Sequence, residues 1–135
     1  MAIDWEHLLD EAWQASELAY VPYSRFPVGA ALLGSSGRVY RGANLENASY
    51  PLTICAERVA IFKARSEGET HFLAIAVVAA TQPLAAPCGA CRQVLSELAP
   101  GIPVLLANKQ GEQLMTSVEE LLPLAFTPAS LPAKG

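Results

Sequence analysis

The chain is short of both cysteine and histidine, with three of the first and two of the second in 135 residues. An odd cysteine count, with two of the three only three residues apart, fits a reducing compartment and metal binding better than a disulfide framework. Basic residues are also scarce, nine against 13 acidic ones, for a net charge of −4. That balance offers no electrostatic footprint for a nucleic acid or an anionic membrane, so the expected ligand is small and not strongly anionic. No apolar run approaches the ~18 residues of a membrane span. The opening Met1–Glu6 lacks the basic start and apolar centre of a signal peptide. The expected location is the cytoplasm. Internal repeats and low-complexity segments are missing too, and the length predicts one domain over residues 1–135.

What the chain has in surplus is apolar side chains, 52% of the total, with a mean hydropathy of +0.27. For a small domain this predicts subunit contacts. Trp5, Leu8, Leu9, Ala12, Trp13 and Ala19 recur at helical period from Asp4 to about Tyr20, with Asp4 as N-cap and Pro22 beyond the end. His7 within that helix reads as an ordinary exposed or half-exposed histidine. Residues 28–33 predict a strand buried on both faces, joined through Ser35-Ser36-Gly37 to a second strand at 39–44. A helix is expected from about Cys55 to Arg65, and a central buried strand at 72–80. Another helix runs from Cys88 to about Leu98, followed by strands at 103–107 and 113–115. Ser117-Val118-Glu119-Glu120 has the form of a capping box opening a last helix, and the tail from about 127 to 135 is expected to be loosely ordered. Helices alternating with buried strands predict a three-layer α/β/α sandwich on a mixed sheet.

All three cysteines fall in two short stretches, Cys55-Ala56-Glu57 and Pro87-Cys88-Gly89-Ala90-Cys91. Cysteines at i and i+3 can face one ion from the first turn of a helix, and a third from elsewhere completes a three-thiolate zinc site with one position open. An open position marks a catalytic zinc, because a water held there becomes acidic near neutral pH. Glu57 stands two residues from a ligand, where it can handle that water's protons. Three thiolates also leave the site with excess negative charge, and Arg58 and Arg92, each next to a metal-site residue, can hydrogen-bond the sulfurs. Taken one at a time, these residues have plainer readings. Phe26 is a core residue, Asn44 and Glu46 are turn formers, Glu57 is a helix-dipole partner and the two arginines are solvated. Asn47-Ala48-Ser49 has the form of a glycosylation acceptor, which a cytoplasmic chain would not use.

The Cys-x-Glu and Pro-Cys-x-x-Cys pair resembles the signature of the zinc-dependent nucleoside and nucleobase deaminases, and the register over nearly the whole chain resembles the small-subunit cytidine deaminases. The resemblance implies a five-stranded sheet, one Zn²⁺ per chain and hydrolytic removal of the amine from C4 of cytidine and 2′-deoxycytidine, with Glu57 moving the protons. It implies that Phe26 lies against the pyrimidine, that Asn44 and Glu46 hold the ribose hydroxyls, and that the Ala56 N–H binds the pyrimidine carbonyl. It further implies a homotetramer whose sites borrow Ala48, Tyr50 and Phe126 between subunits, and an arginine after the glutamate that draws charge from the thiolates. With no glycine-rich phosphate loop, phosphorylated nucleotides are expected to be poor substrates. One departure stands out, since Phe126-Thr127-Pro128 replaces the usual Phe-Gly-Pro. Three other readings remain. A blasticidin-type deaminase shares the metal motifs but not the ribose-binding set. A structural zinc module would need His71 as fourth ligand, and a thioredoxin-like CxxC protein leaves Cys55-x-Glu57 without a purpose.

Overall fold

Long runs of small and branched residues can be buried from two sides, and the sheet is built from them. In the computed structural model, which describes residues 2–132, the strands are β1 (Val28–Gly34), β2 (Val39–Ala43), β3 (Phe72–Ala79), β4 (Pro103–Ala107) and β5 (Gln113–Ser117). They form one sheet in the order β2-β1-β3-β4-β5. Only β3 and β4 run parallel, and the other neighbours are antiparallel, so the sheet is mixed. The helices are α1 (Trp5–Ser16), α2 (Ala56–Ser66), α3 (Gly89–Leu98) and α4 (Val118–Leu121), with 3-10 turns at Tyr50–Leu52 and Pro128–Ser130.

Strand side chains alternate between faces, and each face has its own core. Ala31, Ala74, Ala76 and Val78 join Leu8 and Ala12 of α1 on one side. Leu32, Ile75, Val77, Val104 and Leu106 pack with Ile61 of α2 and Leu95 of α3 on the other. The result is the α/β/α layering that the apolar runs predict. Gly42 of β2 lets α2 come close, because a Cβ there would collide with the Ala56 carbonyl and the Ala60 amide.

Element boundaries differ from expectation by more than one residue at two places. The first helix stops at Ser16, not near Tyr20. Pro22 biases its predecessor toward extended backbone. Tyr20 instead bridges to Leu45, its N–H donating to the Asn44 carbonyl at 3.0 Å. The last strand runs two residues beyond the expected end, since Ser117 pairs with Pro103. Asp4 caps α1 by accepting from the His7 N–H at 3.1 Å, and Ser117 caps α4 by accepting from the Glu120 N–H at 3.2 Å. In the tail, Thr127 and Ser130 cap the last 3-10 turn; the looseness expected at 133–135 lies outside the described residues. Among the described residues no helix is long and apolar enough to cross a membrane.

Candidate metal centre and adjoining cleft

Two helix starts bring the cysteines together. Cys55 is the N-cap of α2, Cys88 is the N-cap of α3, and Cys91 lies in the first turn of α3. The Sγ atoms of Cys55 and Cys88 are 3.5 Å apart, as are those of Cys88 and Cys91. All three lie within 4.8 Å of one another. A tetrahedral zinc with Zn–S bonds of about 2.3 Å needs its sulfurs roughly 3.8 Å apart, so the cluster fits that ion. Cys91 is buried, Cys55 half-buried and Cys88 exposed. Among the described residues no histidine or carboxylate joins the cluster. His71, which a closed structural site would require, sits ahead of β3 with its Nδ1 3.1 Å from the Thr70 hydroxyl.

The positive ends of α2 and α3 favour thiolates. Hydrogen bonding from the Cys91 thiol draws the Cys55 pKa down to about 5 against the opposing cost of burial, and Arg58 assists. Cys91 is pushed upward in turn by that bond and by its own burial. Arg58 Nη2 lies 3.6 Å from the Cys55 sulfur, which raises the guanidinium's own pKa. Arg92 is a correction. It makes no hydrogen bond to sulfur, because its Nε donates to the Pro87 carbonyl at 2.7 Å and its Nη1 to the Leu121 carbonyl at 2.9 Å. Its fork fastens the loop before Cys88 to the end of α4.

A cavity of about 210 Å³ opens beside the sulfurs. Phe26, Asn44, Cys55, Ala56, Glu57 and Cys88 line it, all six of them singled out by the sequence. Val28, Val77, Ala85 and Ala86 complete the wall; they carry no chemical signature, though Pro83 and Pro87 do bracket the loop that supplies the two alanines. Glu57 is only 3% exposed. Burial pushes its carboxyl up to about 7, with the nearby Cys55 charge adding to the shift and Arg58 opposing it. Ala56 is the first residue of α2, where backbone N–H groups have no intrahelical acceptor and are available to a ligand.

The remaining candidates lie apart from this wall. Glu46 turns its carboxylate onto the Tyr23–Ser24 backbone, and its pKa is held low, first by the Ser24 hydroxyl. Ala48 is exposed, and Tyr50 is 63% and Phe126 59% exposed. Tyr50 meets Tyr23 edge-on, with ring centroids 6.0 Å apart. The backbone at Thr127 is extended, with φ of −129°, so the position makes no demand for glycine.

The family model for the cytidine and deoxycytidylate deaminase zinc-binding region matches residues 3–106. A cytidine deaminase of Halalkalibacterium halodurans is 60% identical over 126 residues, which are 93% of this chain and 96% of that one. The cytidine deaminase of Sporosarcina psychrophila is 52% identical over 130 residues, 96% of each chain. Among solved structures, cytidine deaminase from Burkholderia pseudomallei matches with a TM-score of 0.89 at 50% identity, over 92% of this chain and 100% of that one. The matched region runs through both cysteine segments, and the donor set it contains here, Cys55, Cys88 and Cys91, suits zinc. With matches of this extent along almost the whole chain, it belongs to the family of the cytidine and deoxycytidylate deaminases.

Proposed function

We propose that this chain hydrolyses cytidine and 2′-deoxycytidine to uridine and 2′-deoxyuridine, releasing ammonia, and so serves pyrimidine salvage in the cytoplasm. The observation that carries the reading is Glu57, a buried carboxyl on the cleft wall two residues from a sulfur ligand, with its pKa near neutrality. Zinc held by Cys55, Cys88 and Cys91 supplies a Lewis acid that makes water a competent nucleophile near pH 7.

The chain's own residues do the rest. Phe26 forms the side of the cleft against which the cytosine ring lies. The Ala56 N–H, at the positive end of α2, donates to the C2 carbonyl oxygen of the base. Glu57 takes a proton from the attacking water and passes it to N3, then takes the remaining proton from the C4 hydroxyl as that group becomes a carbonyl and delivers it to the amine as the C4–N bond breaks. Burial, which raises the Glu57 carboxyl above its ordinary range, suits a group that must both accept and donate protons. Arg58 draws charge from the Cys55 sulfur, which keeps the ion a stronger Lewis acid. Asn44, on the cleft wall, and Glu46 receive the sugar hydroxyls.

The active form is a homotetramer in this reading, with Ala48, Tyr50 and Phe126 completing the site of a neighbouring copy. Leu18, Tyr20, Tyr50, Leu52 and Phe126 are all exposed, a set of apolar groups that closed assembly would cover. Three free thiols agree with a reducing cytoplasm. An absorbance assay of cytidine turning into uridine, with zinc quantified on the same sample, tests the reading. Activity that tracks one zinc per chain is expected, and a fully active metal-free protein would refute it.

A further inference from the structure

Three hydrogen bonds hold the Glu46 carboxylate independently of any ligand. The Tyr23 and Ser24 N–H groups both donate to Oε1, at 3.0 and 3.1 Å, and the Ser24 hydroxyl donates to Oε2. The same hydroxyl accepts from the Phe26 N–H at 3.1 Å. Asn44 grips the other end of this segment. Its Oδ1 accepts from the Val28 N–H at 2.9 Å, and its Nδ2 donates to the Phe26 carbonyl at 2.8 Å. Phe26 is thus held through both of its backbone polar groups, one bond coming from Ser24 and one from Asn44. Between Ser24 and Phe26, Arg25 has φ of 57°, a left-handed conformation that a non-glycine residue adopts only when its surroundings impose it.

A carboxylate offers about four acceptor sites. In Glu46, among the described residues, Oε1 uses two on backbone N–H groups and Oε2 uses one on Ser24, which leaves one on Oε2. Its direction is fixed by the bond to Ser24. We propose that Ser24 is a positioning residue for sugar recognition, aiming the one free acceptor site of Glu46 at a hydroxyl of the bound nucleoside. The inference rests on the reading of Glu46 as a sugar-binding residue given above.

The test compares kcat/KM for cytidine with that for 2′,3′-dideoxycytidine, which presents the same base without the two hydroxyls. In Ser24→Ala the ratio of the two is expected to shrink by roughly tenfold, the effect of losing control over one hydrogen bond to a charged group, with the change carried by KM for cytidine. Ser24→Thr, which keeps the hydroxyl, should restore the ratio. Glu46→Gln should shrink it as well, and adding Ser24→Ala to Glu46→Gln should shrink it little further, because both act through one acceptor. Zinc content and thermal midpoint are recorded for every variant. If Ser24→Ala does not fold, Ser24→Cys, a weaker donor of similar size, carries the same comparison with a smaller expected loss. Equal losses on both substrates, with wild type active and Glu46→Gln selective, would overturn the role of Ser24 alone. A wild-type protein that leaves cytidine unchanged would overturn both the proposed function and this inference.

Discussion

Gly42 lies directly beneath Ala56, so that the backbone of β2 touches the first turn of α2 with no side chain between them. That turn carries Cys55, Ala56 and Glu57. The separation of helix and sheet therefore sets where the Cys55 sulfur and the Glu57 carboxyl stand relative to Cys88 and Cys91 on α3. Gly42→Ala is expected to push α2 outward, costing about 1 to 3 kcal/mol as overpacking does, and to weaken zinc binding at the same time. Thermal unfolding and chelator competition measure the two effects. A variant with lower stability and unaltered zinc affinity would mean that the start of α2 can move without consequence for the site.

Glu57→Gln separates chemistry from folding. Losing the proton-transfer group should cut turnover by at least ~10²-fold while zinc stays bound. In metal-free protein the same change should alter how stability depends on pH. Burial raises the Glu57 pKa from 4.5 to about 7, so between those values the folded state holds a proton that the unfolded state has released. Stability conferred by the protonated carboxyl is full below about pH 4.5 and is lost as pH rises to about 7. Glutamine cannot ionise, so the variant should match wild type in acid and exceed it at pH 8, by on the order of 3 kcal/mol. Denaturant titrations at pH 4 and pH 8 test the sign. A variant less stable than wild type at pH 8 would show that Glu57 is held as a charged group.

Arg58 and Arg92 look alike in the sequence, each beside a metal-site residue, but they end in different places. Arg58 reaches the Cys55 sulfur, while Arg92 spends its donors on the Pro87 and Leu121 carbonyls. Arg58→Ala should weaken zinc binding by roughly tenfold or more, the usual effect of losing a partner of a metal ligand. Arg92→Ala should chiefly lower stability, by about 1 to 3 kcal/mol for carbonyls left without their charged donor. If Arg92→Ala released zinc more readily than Arg58→Ala, the assignment would be reversed.

The divergence of those two arginines marks the limit of what was legible in the chain. Short-range chemistry could be read directly. The i and i+3 cysteines, the carboxyl two residues from Cys55 and the capping residues Asp4 and Ser117 each act within a turn of backbone. The both-face burial of β1 and β3 was likewise legible, because continuous apolar runs leave no polar face for solvent. What could not be read depends on residues far apart in sequence meeting in space. The Leu121 carbonyl that claims Arg92 is 29 positions away, and the Ser24 hydroxyl that holds Glu46 is 22 away. Ala85 and Ala86 reach the cleft wall only because their loop follows the end of β3, and alanine carries no chemistry that would announce it.

The last prediction concerns assembly. Phe126 and Tyr50 are large aromatic groups left in solvent, and neither lines the cleft of its own chain. Their exposure makes sense if another copy covers them. Light scattering should therefore find a tetramer at assay concentrations, and an active monomer would refute a shared site. Subunit mixing tests the sharing itself. Glu57→Ala subunits lack the proton carrier, and Phe126→Ala subunits are expected to be impaired because they leave a neighbour's cleft uncovered. If Phe126 acts on a neighbour, mixed tetramers contain sites in which an intact Glu57 meets an intact Phe126 from another chain, and activity should rise above that of either variant alone. If each Phe126 serves only its own chain, no mixed tetramer gains anything beyond the sum of its parts. Subunit exchange is verified by mass spectrometry of the mixture, so that an unchanged rate counts against borrowing and not against mixing.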